Sequence, residues 1–548
     1  MQITTKIKDS LFTLFLLLAA TAAVAQVRIT ERHYTLPVLA DQPINILKRL
    51  EFTADKQQQV EVELTLKADA LAAEQLDSLS CWFAGTDSTL LTHTPSAAHQ
   101  RVAAQKWKGR TGKIKVPLKL EKGVNYLWVT AKVHPFKKLD QTFELAITKA
   151  SLAGLPSQSQ LSGRFARYRP AVAVHRQGAE GVHTSRIPGV ITARDGSLVA
   201  VYDARRELGR DLQGDIDIGV SRSLDGGRSW LPMEIAIDMG TFGGLPQKFN
   251  GVSDPNILLD ERTGTIYVAG LWMHGVLDET GTWYPGVKDG REIHNHQWKN
   301  KGSQPGFGIK QTSQFLLVKS EDNGLSWSKP VNLTHLKRAE WWLWAPAPGH
   351  GISLQDGTLL LPSQGRDETG KAFSNITYSK DGGQTWKTSN PALAESTTEC
   401  MAVQLDNGDI MLNMRSNYNA THKGDDNGRA IALTKNLGET WTEHPTSHKA
   451  LIEPTCMASI HKHVYQTEGN SSSVLVFCNP DSKFVRANIT LKVSKDNGDS
   501  WQPKVLLDEG KGRGYSCITS VDQQTLGVLY EGSQADLIFQ QIPLKELL

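Results

Sequence analysis

One eight-residue signature occurs five times along this chain. The pattern Ser/Thr-x-Asp/Asn-x-Gly-x-Ser/Thr-Trp stands at Ser223–Trp230, Ser320–Trp327, Ser379–Trp386, Thr434–Trp441 and Ser494–Trp501. Each copy reads as a hairpin tip, because an Asp or Asn side chain bonds its own downstream backbone and Gly takes the positive φ such a turn needs. The Trp then anchors the departing strand in apolar packing. Successive copies begin 97, 59, 55 and 60 residues apart. That spacing is too long for one hairpin and suits a four-stranded sheet with its loops, so the repeat counts the blades of a β-propeller. About 370 residues at roughly 60 per unit make six blades, one of them without the signature.

The full 548 residues exceed what one hydrophobic core serves, so a second folded domain is expected. Lys and Arg number 60 against 57 Asp and Glu, which excludes the broad basic field that nucleic-acid binding requires. Lys6 and Lys8 precede an apolar run from Leu11 to Ala25 that ends in Ala23-Val24-Ala25. Residues 1–25 therefore read as a secretory signal peptide cut ahead of Gln26, the run being short for a membrane span. The expected mature chain is exported, to the periplasm or beyond, without a transmembrane span. Five cysteines (Cys81, Cys400, Cys456, Cys478 and Cys517) are odd in number and lack any CxxC pattern, so buried free thiols are expected. His294-Asn-His296 and His461-Lys-His463 have no carboxylate or Cys cluster at metal spacing, and no metal or cofactor is assigned.

Between residues 26 and 155 the signature is absent and apolar residues alternate with period two, as in Val60–Leu66, Asn125–Ala131 and Thr142–Ile147. Half-buried antiparallel strands fit this pattern, and a β-sandwich of carbohydrate-binding or purely structural role is expected there. Trp82, Trp107 and Trp128 are assigned to its core rather than to a sugar surface. Residues 156–165, polar at Ser157–Gly163, read as a linker, and 166–548 as the propeller. The segment Thr280–Gln314, rich in Gly, His, Lys and Trp, reads as a long loop on the propeller's functional face.

The hairpin tips are turn chemistry, so function has to be argued from other residues. Those are Ser185-Arg186-Ile187-Pro188, Asp203-Ala204-Arg205 and Asp211, then Asp254-Pro255, Thr398-Glu399-Cys400, Arg415, Arg486 and Gly514-Tyr515-Ser516. This set resembles the bacterial exo-α-sialidases, six-bladed propellers with aspartate boxes that are often preceded by a β-sandwich. The resemblance runs from about residue 165 to the end, and the preceding domain is similar too. Arg205 and Asp211 match the family's arginine and acid six residues apart, and Arg486 and Tyr515 its last arginine and its tyrosine. Ser185 stands where the family usually has an aromatic residue, and the fourth box has Thr434 and Asn436 for Ser and Asp.

The resemblance implies an all-β retaining exo-α-sialidase acting on glycoproteins, glycolipids (gangliosides among them) and oligosaccharides, without a cofactor and as a monomer. It implies Arg186, Arg415 and Arg486 as a clamp on the sialic acid carboxylate, which suits guanidinium, a permanent cation with paired donors. Tyr515 is implied as nucleophile, Glu399 as its base and Asp211 as acid and then base, with Arg205 as a further substrate contact and Asp254 in a supporting role. Arg206 rivals Arg205. The choice of tyrosine has a physical reason: a charged nucleophile about 4 Å from the substrate carboxylate is repelled by about 4 kcal/mol at an effective dielectric of about 20, and a phenol is not. Sialidases with a tyrosine nucleophile are a recognised exception to the two-carboxylate rule of glycosidases. Two alternatives stay open on the same residues: a non-catalytic sialic-acid-binding propeller, and a trans-sialidase.

Overall fold

The computed structural model describes residues 27–548 apart from 93, 154–156, 213, 245, 275–286, 289–290, 293–304 and 310–311. The expected signal peptide, His294, His296 and most of the Thr280–Gln314 loop lie outside the described residues. The chain forms two compact units, one of residues up to Tyr34 with Ala40–Pro135 and Thr142–Tyr168, the other of Thr35–Leu39, Phe136–Gln141 and Arg169–Leu548.

The first unit is a β-sandwich of two sheets. Its larger sheet runs Ser157–Gln160, Val27–His33, Asn45–Ala54, Gly123–Val133, Leu76–Phe83 and Gln100–Lys106 in spatial order, and the other places Gln58–Ala68 between Phe143–Leu152 and Thr111–Leu120. The period-two pattern explains the burial. Val60, Val62, Leu64 and Leu66 point inward from one strand, Ile114, Val116, Leu118 and Leu120 from its neighbour, while Lys113, Lys115 and Lys119 face solvent. Trp107 and Trp128 are buried, and Trp82 is half-buried with its indole N–H on Thr130 Oγ1 at 3.2 Å. Ser157–Gln160, inside the stretch read as a linker, is instead a strand pairing in parallel with Val27–Thr30. Its residues are all polar, so no apolar alternation signals it.

The second unit is the six-bladed propeller. Its first, second, fourth and fifth blades begin with the inner strands Thr184–Thr192, Asn250–Leu259, Thr397–Gln404 and Ser459–Thr467; the third begins with the broken strand Leu343–Pro346, Gly349–His350 and Ile352–Ser353. The sixth holds Ser516–Asp522, Thr525–Tyr530 and Leu537–Pro543, and its fourth strand comes from the start of the unit, where Val172 and Ala173 pair with Phe539 and Ile538. This closes the ring.

Each of the five signatures joins the third strand of a blade to the fourth, and the third strands end at Ser223, Ser320, Ser379, Thr434 and Ser494. In the second blade Ser320 Oγ accepts from the Gly324 N–H at 2.8 Å and donates to Asp322 Oδ1 at 2.7 Å, while Asp322 Oδ1 accepts from the Ser326 N–H at 2.9 Å. Gly324 has φ 83°, as the turn requires. Thr434 and Asn436 make the same bonds in the fourth blade, at 2.9, 3.0 and 3.0 Å, so the departures from Ser and Asp leave that turn intact. Two of the Trp residues pack across blades: Trp230 lies edge-on against Phe539 and Trp386 against Tyr267, with ring centres 5.4 and 5.9 Å apart. Ser320→Ala strands the Gly324 N–H and is expected to cost about 1–3 kcal/mol of stability in urea denaturation while leaving turnover unchanged.

All five cysteines are free and buried, and burial pushes each thiol up to about 12. His461 Nε2 and His463 Nδ1 both meet Ser520 Oγ at 2.8 Å.

Candidate functional site

Three inner strands break their pairing at one end of the propeller. Register shifts fall between Arg186 and Gly189, between Ser253 and Asn256, and between Thr398 and Cys400. At each break a residue other than glycine takes a positive φ: Ile187 at 59°, Asp254 at 55° and Glu399 at 39°. A bulge re-aims the neighbouring side chains, and each left-handed residue costs about 1–3 kcal/mol that its surroundings must offset. Pro188 and Pro255 follow the first two, suited to positions where a ladder N–H is dispensable.

These bulges bring Arg186, Asp254 and Glu399 together with Arg415 from the strand after Glu399, Arg486 from the loop before Ile489–Ser494, and Tyr515 at the start of the sixth blade. The Tyr515 hydroxyl donates to Glu399 Oε1. Arg415 Nη1 donates to Glu399 Oε2 at 2.6 Å and lies 3.4 Å from the Tyr515 oxygen. The guanidinium carbons of Arg186 and Arg486 stand 5.1 and 5.5 Å from the centre of the Tyr515 ring. All three arginines of the expected clamp therefore surround one phenol. Burial and the Glu399 carboxylate push the Tyr515 hydroxyl well above the usual tyrosine value, with the three arginines pulling against them. Burial works against the Arg415 charge, but Glu399 and Tyr515 hold it above its ordinary value.

Asp211, with a side chain 54% exposed, forms an ion pair with Arg205 Nη2 at 2.6 Å and accepts from Arg186 Nη1 at 3.4 Å. Arg205 was expected to touch substrate, yet it is 1% exposed and lies behind Asp211, with Nε and Nη2 on Asp203 Oδ2 at 3.1 and 2.8 Å and Nη1 on the Gly209 carbonyl at 3.0 Å. The buried Asp203 carboxylate draws it inward. Arg206 turns away to Asp217 at 2.8 Å, which leaves Arg205 as the arginine of this site. Asp203 also accepts from Ser253 Oγ at 2.6 Å and from the Asp254 N–H at 3.0 Å. Gln364 joins the second bulge to the third, donating to Asp254 Oδ2 at 3.2 Å and accepting from the Glu399 N–H at 3.0 Å. Burial, followed by the charges of Asp203, Glu399 and Asp211, pushes the Asp254 carboxyl well above the carboxylate range.

A pocket of 220 Å³ opens over this group, lined by Asp211, Asp254, Glu399, Arg415 and Tyr515, with Leu271 and Leu343 among its apolar residues. A larger cavity of 570 Å³, around His350, His461 and Ser520, sits at the opposite ends of the inner strands and holds none of these groups. Its size does not make it the reacting centre.

Sequence reasoning missed Glu531. This residue is 1% exposed, and its Oε1 accepts from Arg186 Nε at 2.7 Å and the Ile187 N–H at 2.9 Å, while Oε2 accepts from Arg186 Nη2 and the Tyr515 N–H, both at 3.2 Å. Burial raises its carboxyl, but Arg186 and the two backbone N–H groups overcome this and hold it below the usual value. The available signal was a lone acid directly after the apolar strand Thr525–Tyr530.

Residues 26–156 match the family described as the N-terminal domain of BNR-repeat neuraminidase, and residues 294–528 the BNR repeat-like domain. A sialidase of Bacteroides fragilis is 34% identical over 563 residues, covering 98% of this chain and 99% of that protein. A sialidase of Micromonospora viridifaciens is 28% identical over 65% of this chain and 50% of its own length. Among solved structures, the Hadza microbial sialidase Hz136 superposes with a TM-score of 0.83 at 33% identity, covering 95% of this chain and 100% of that one. With a site built around one phenol, three arginines and paired carboxylates, and with likeness along nearly its whole length, this chain belongs to the BNR-repeat neuraminidases, the sialidases among the glycoside hydrolases.

Proposed function

We propose that this sialidase releases terminal sialic acids with net retention through a covalent intermediate on Tyr515. The observation that carries the reading is the Tyr515 hydroxyl donating to Glu399, with Arg415 on the other Glu399 oxygen and two further guanidinium groups beside the ring. The substrate carboxylate meets Arg186, Arg415 and Arg486. As the Tyr515 oxygen bonds to the anomeric carbon, its proton passes to Glu399 Oε1, and Asp211 gives a proton to the departing glycosidic oxygen. The Asp211 carboxylate then takes a proton from water, whose oxygen attacks the same carbon. Tyr515 leaves and recovers its proton from Glu399, and the two inversions amount to retention.

Free phenolate is not required at any point. Burial and Glu399 hold the Tyr515 hydroxyl well above its usual value, and the carboxylate that accepts its hydrogen bond is placed to take the proton as the bond forms. For Asp211 to reach the glycosidic oxygen, its contacts with Arg205 and Arg186 have to be exchanged for substrate. Arg205 is a positioning residue, and Asp254 supports the pocket wall beside Asp211 and Glu399. The substrates proposed are sialylated glycoproteins, glycolipids and oligosaccharides, met by an exported, monomeric chain.

Labelling with a sialosyl fluoride bearing fluorine next to the anomeric carbon tests the intermediate, because that fluorine slows its breakdown. Mass spectrometry is expected to find the sugar on the peptide that contains Tyr515; label on another residue overturns the assignment. Asp211→Ala is expected to slow a sialoside with a nitrophenol leaving group by about 100-fold and natural sialosides by more, since nitrophenolate departs without a proton. Equal losses on both would remove Asp211 from the acid role. NMR of the first-formed product separates hydrolysis from transfer: free α-sialic acid fits hydrolysis with retention, whereas a transferred or anhydro sugar does not.

A further inference from the structure

Arg429 and Glu453 form an ion pair at 2.7 Å with both side chains wholly buried. Arg429 immediately precedes the fourth-blade strand Ala430–Thr434, and Glu453 lies in the connection to the fifth blade. Neither lines the pocket. Three of their hydrogen bonds nonetheless end on the backbone that carries it. Arg429 Nη2 donates to the Glu399 carbonyl at 3.2 Å, Nη1 to the Cys456 carbonyl at 2.7 Å and Nε to Asn413 Oδ1 at 2.7 Å. The remaining oxygen of Glu453 accepts from the Ser416 N–H at 2.8 Å and from Asn419 Nδ2 at 2.7 Å.

Three of these contacts fall on a residue of the site, on its chain neighbour, or beside a carbonyl that a site residue bonds. Glu399 is the base, at the strained φ of 39°. Ser416 follows Arg415 in the chain. Cys456 follows Thr455, whose carbonyl accepts from Arg486 Nη2 at 3.1 Å. We propose that Arg429 and Glu453 are positioning residues, one buried pair that holds Glu399, Arg415 and Arg486 in a common frame across the fourth and fifth blades. The proposal rests on the roles given to those three residues above. Stability alone is a poor reason for such a pair, because a buried ion pair rarely outperforms well-packed apolar side chains of the same volume. The direction of its hydrogen bonds supplies a better reason.

The test compares Glu453→Gln, Arg429→Lys and the double variant Arg429→Met with Glu453→Leu against the wild type. Glu546→Gln serves as control, since its partner Arg169 at 2.6 Å is remote from the site. Turnover number, KM, pH profile and thermal midpoint are measured on one sialoside. A displacement of about 1 Å at reacting groups costs about 100-fold, so that loss in turnover number is expected for Glu453→Gln and for the double variant. A shifted pH profile should accompany it, because the Arg429 tether on Glu399 is removed in the double variant and left without its counter-charge in Glu453→Gln. Arg429→Lys keeps the charge but cannot span the same acceptors, so it should not rescue. Glu546→Gln should match the wild type.

The double variant leaves no buried charge unpaired, and it carries the test if Glu453→Gln does not fold. A folded double variant with the wild-type turnover number and pH profile would overturn the proposal. So would losses that merely track the unfolded fraction at unchanged pH profile. Whether the wild type forms the Tyr515 adduct is a separate measurement, so failure of the mechanism and failure of this inference are distinguishable.

Discussion

Tyr515→Phe is expected to lower turnover by about 10⁴-fold or more, the scale on which removal of a nucleophile acts elsewhere. The phenyl ring can keep its place beside Arg186 and Arg486, so packing should survive. What is lost is one oxygen, and with it the donor to Glu399 Oε1. Loss of that donor to a largely buried acceptor costs about 1–3 kcal/mol of stability, too little to account for such a fall. Affinity for free sialic acid should stay within about tenfold of the wild type, because the three arginines remain. Steady-state kinetics and calorimetry on the same preparation check both halves. Near-normal turnover would remove Tyr515 from the chemistry; lost affinity with a disordered fold would make it a structural residue.

Glu531→Gln should have the largest effect on stability. The amide fills the same space but leaves Arg186 buried without its principal counter-charge, and breaking a buried pair in this way costs about 3–5 kcal/mol. The pH dependence has a definite sign. The Glu531 carboxyl is held below its ordinary value of 4.5 in the folded protein, so its contribution is complete above that pH and disappears as pH falls through the lower folded value. Urea titrations should show a constant gap between wild type and variant from pH 6 to 8, closing below about pH 4.5. A gap that widened in acid would contradict the assignment. Turnover should fall as well, since Glu531 also holds the N–H groups of Ile187 and Tyr515.

What could be read from the sequence followed from whether the signal was local. The five hairpin tips repeat because each turn is satisfied by its own eight residues, and their spacing counted the blades. The sandwich strands were legible because period-two alternation is local too. Arg186, Glu399, Arg415, Arg486 and Tyr515 stood out through a resemblance of spacing, not through periodicity. Glu531, Gln364, Arg429 and Glu453 did not, because their meaning lies in partners up to 345 residues away and a lone buried Glu or Arg has no local pattern. Arg205 shows the converse. Its six-residue spacing from Asp211 singles it out, but only the fold reveals that Asp203 holds it away from the pocket wall.

The sixth blade joins the two ends of the propeller's chain, with Val172 beside Phe539, and Tyr515 and Glu531 both belong to that blade while Arg186 belongs to the first. Contacts of this separation are among the slowest a chain makes, since so much loop must be closed before they form. A ribosome therefore has to pass the first five blades and reach the sixth before the nucleophile meets its arginines. The five blades made before the sixth lack Tyr515 and are chemically silent. The first turnover event reports that the circle has been completed, which makes activity itself a clock for the last step of folding.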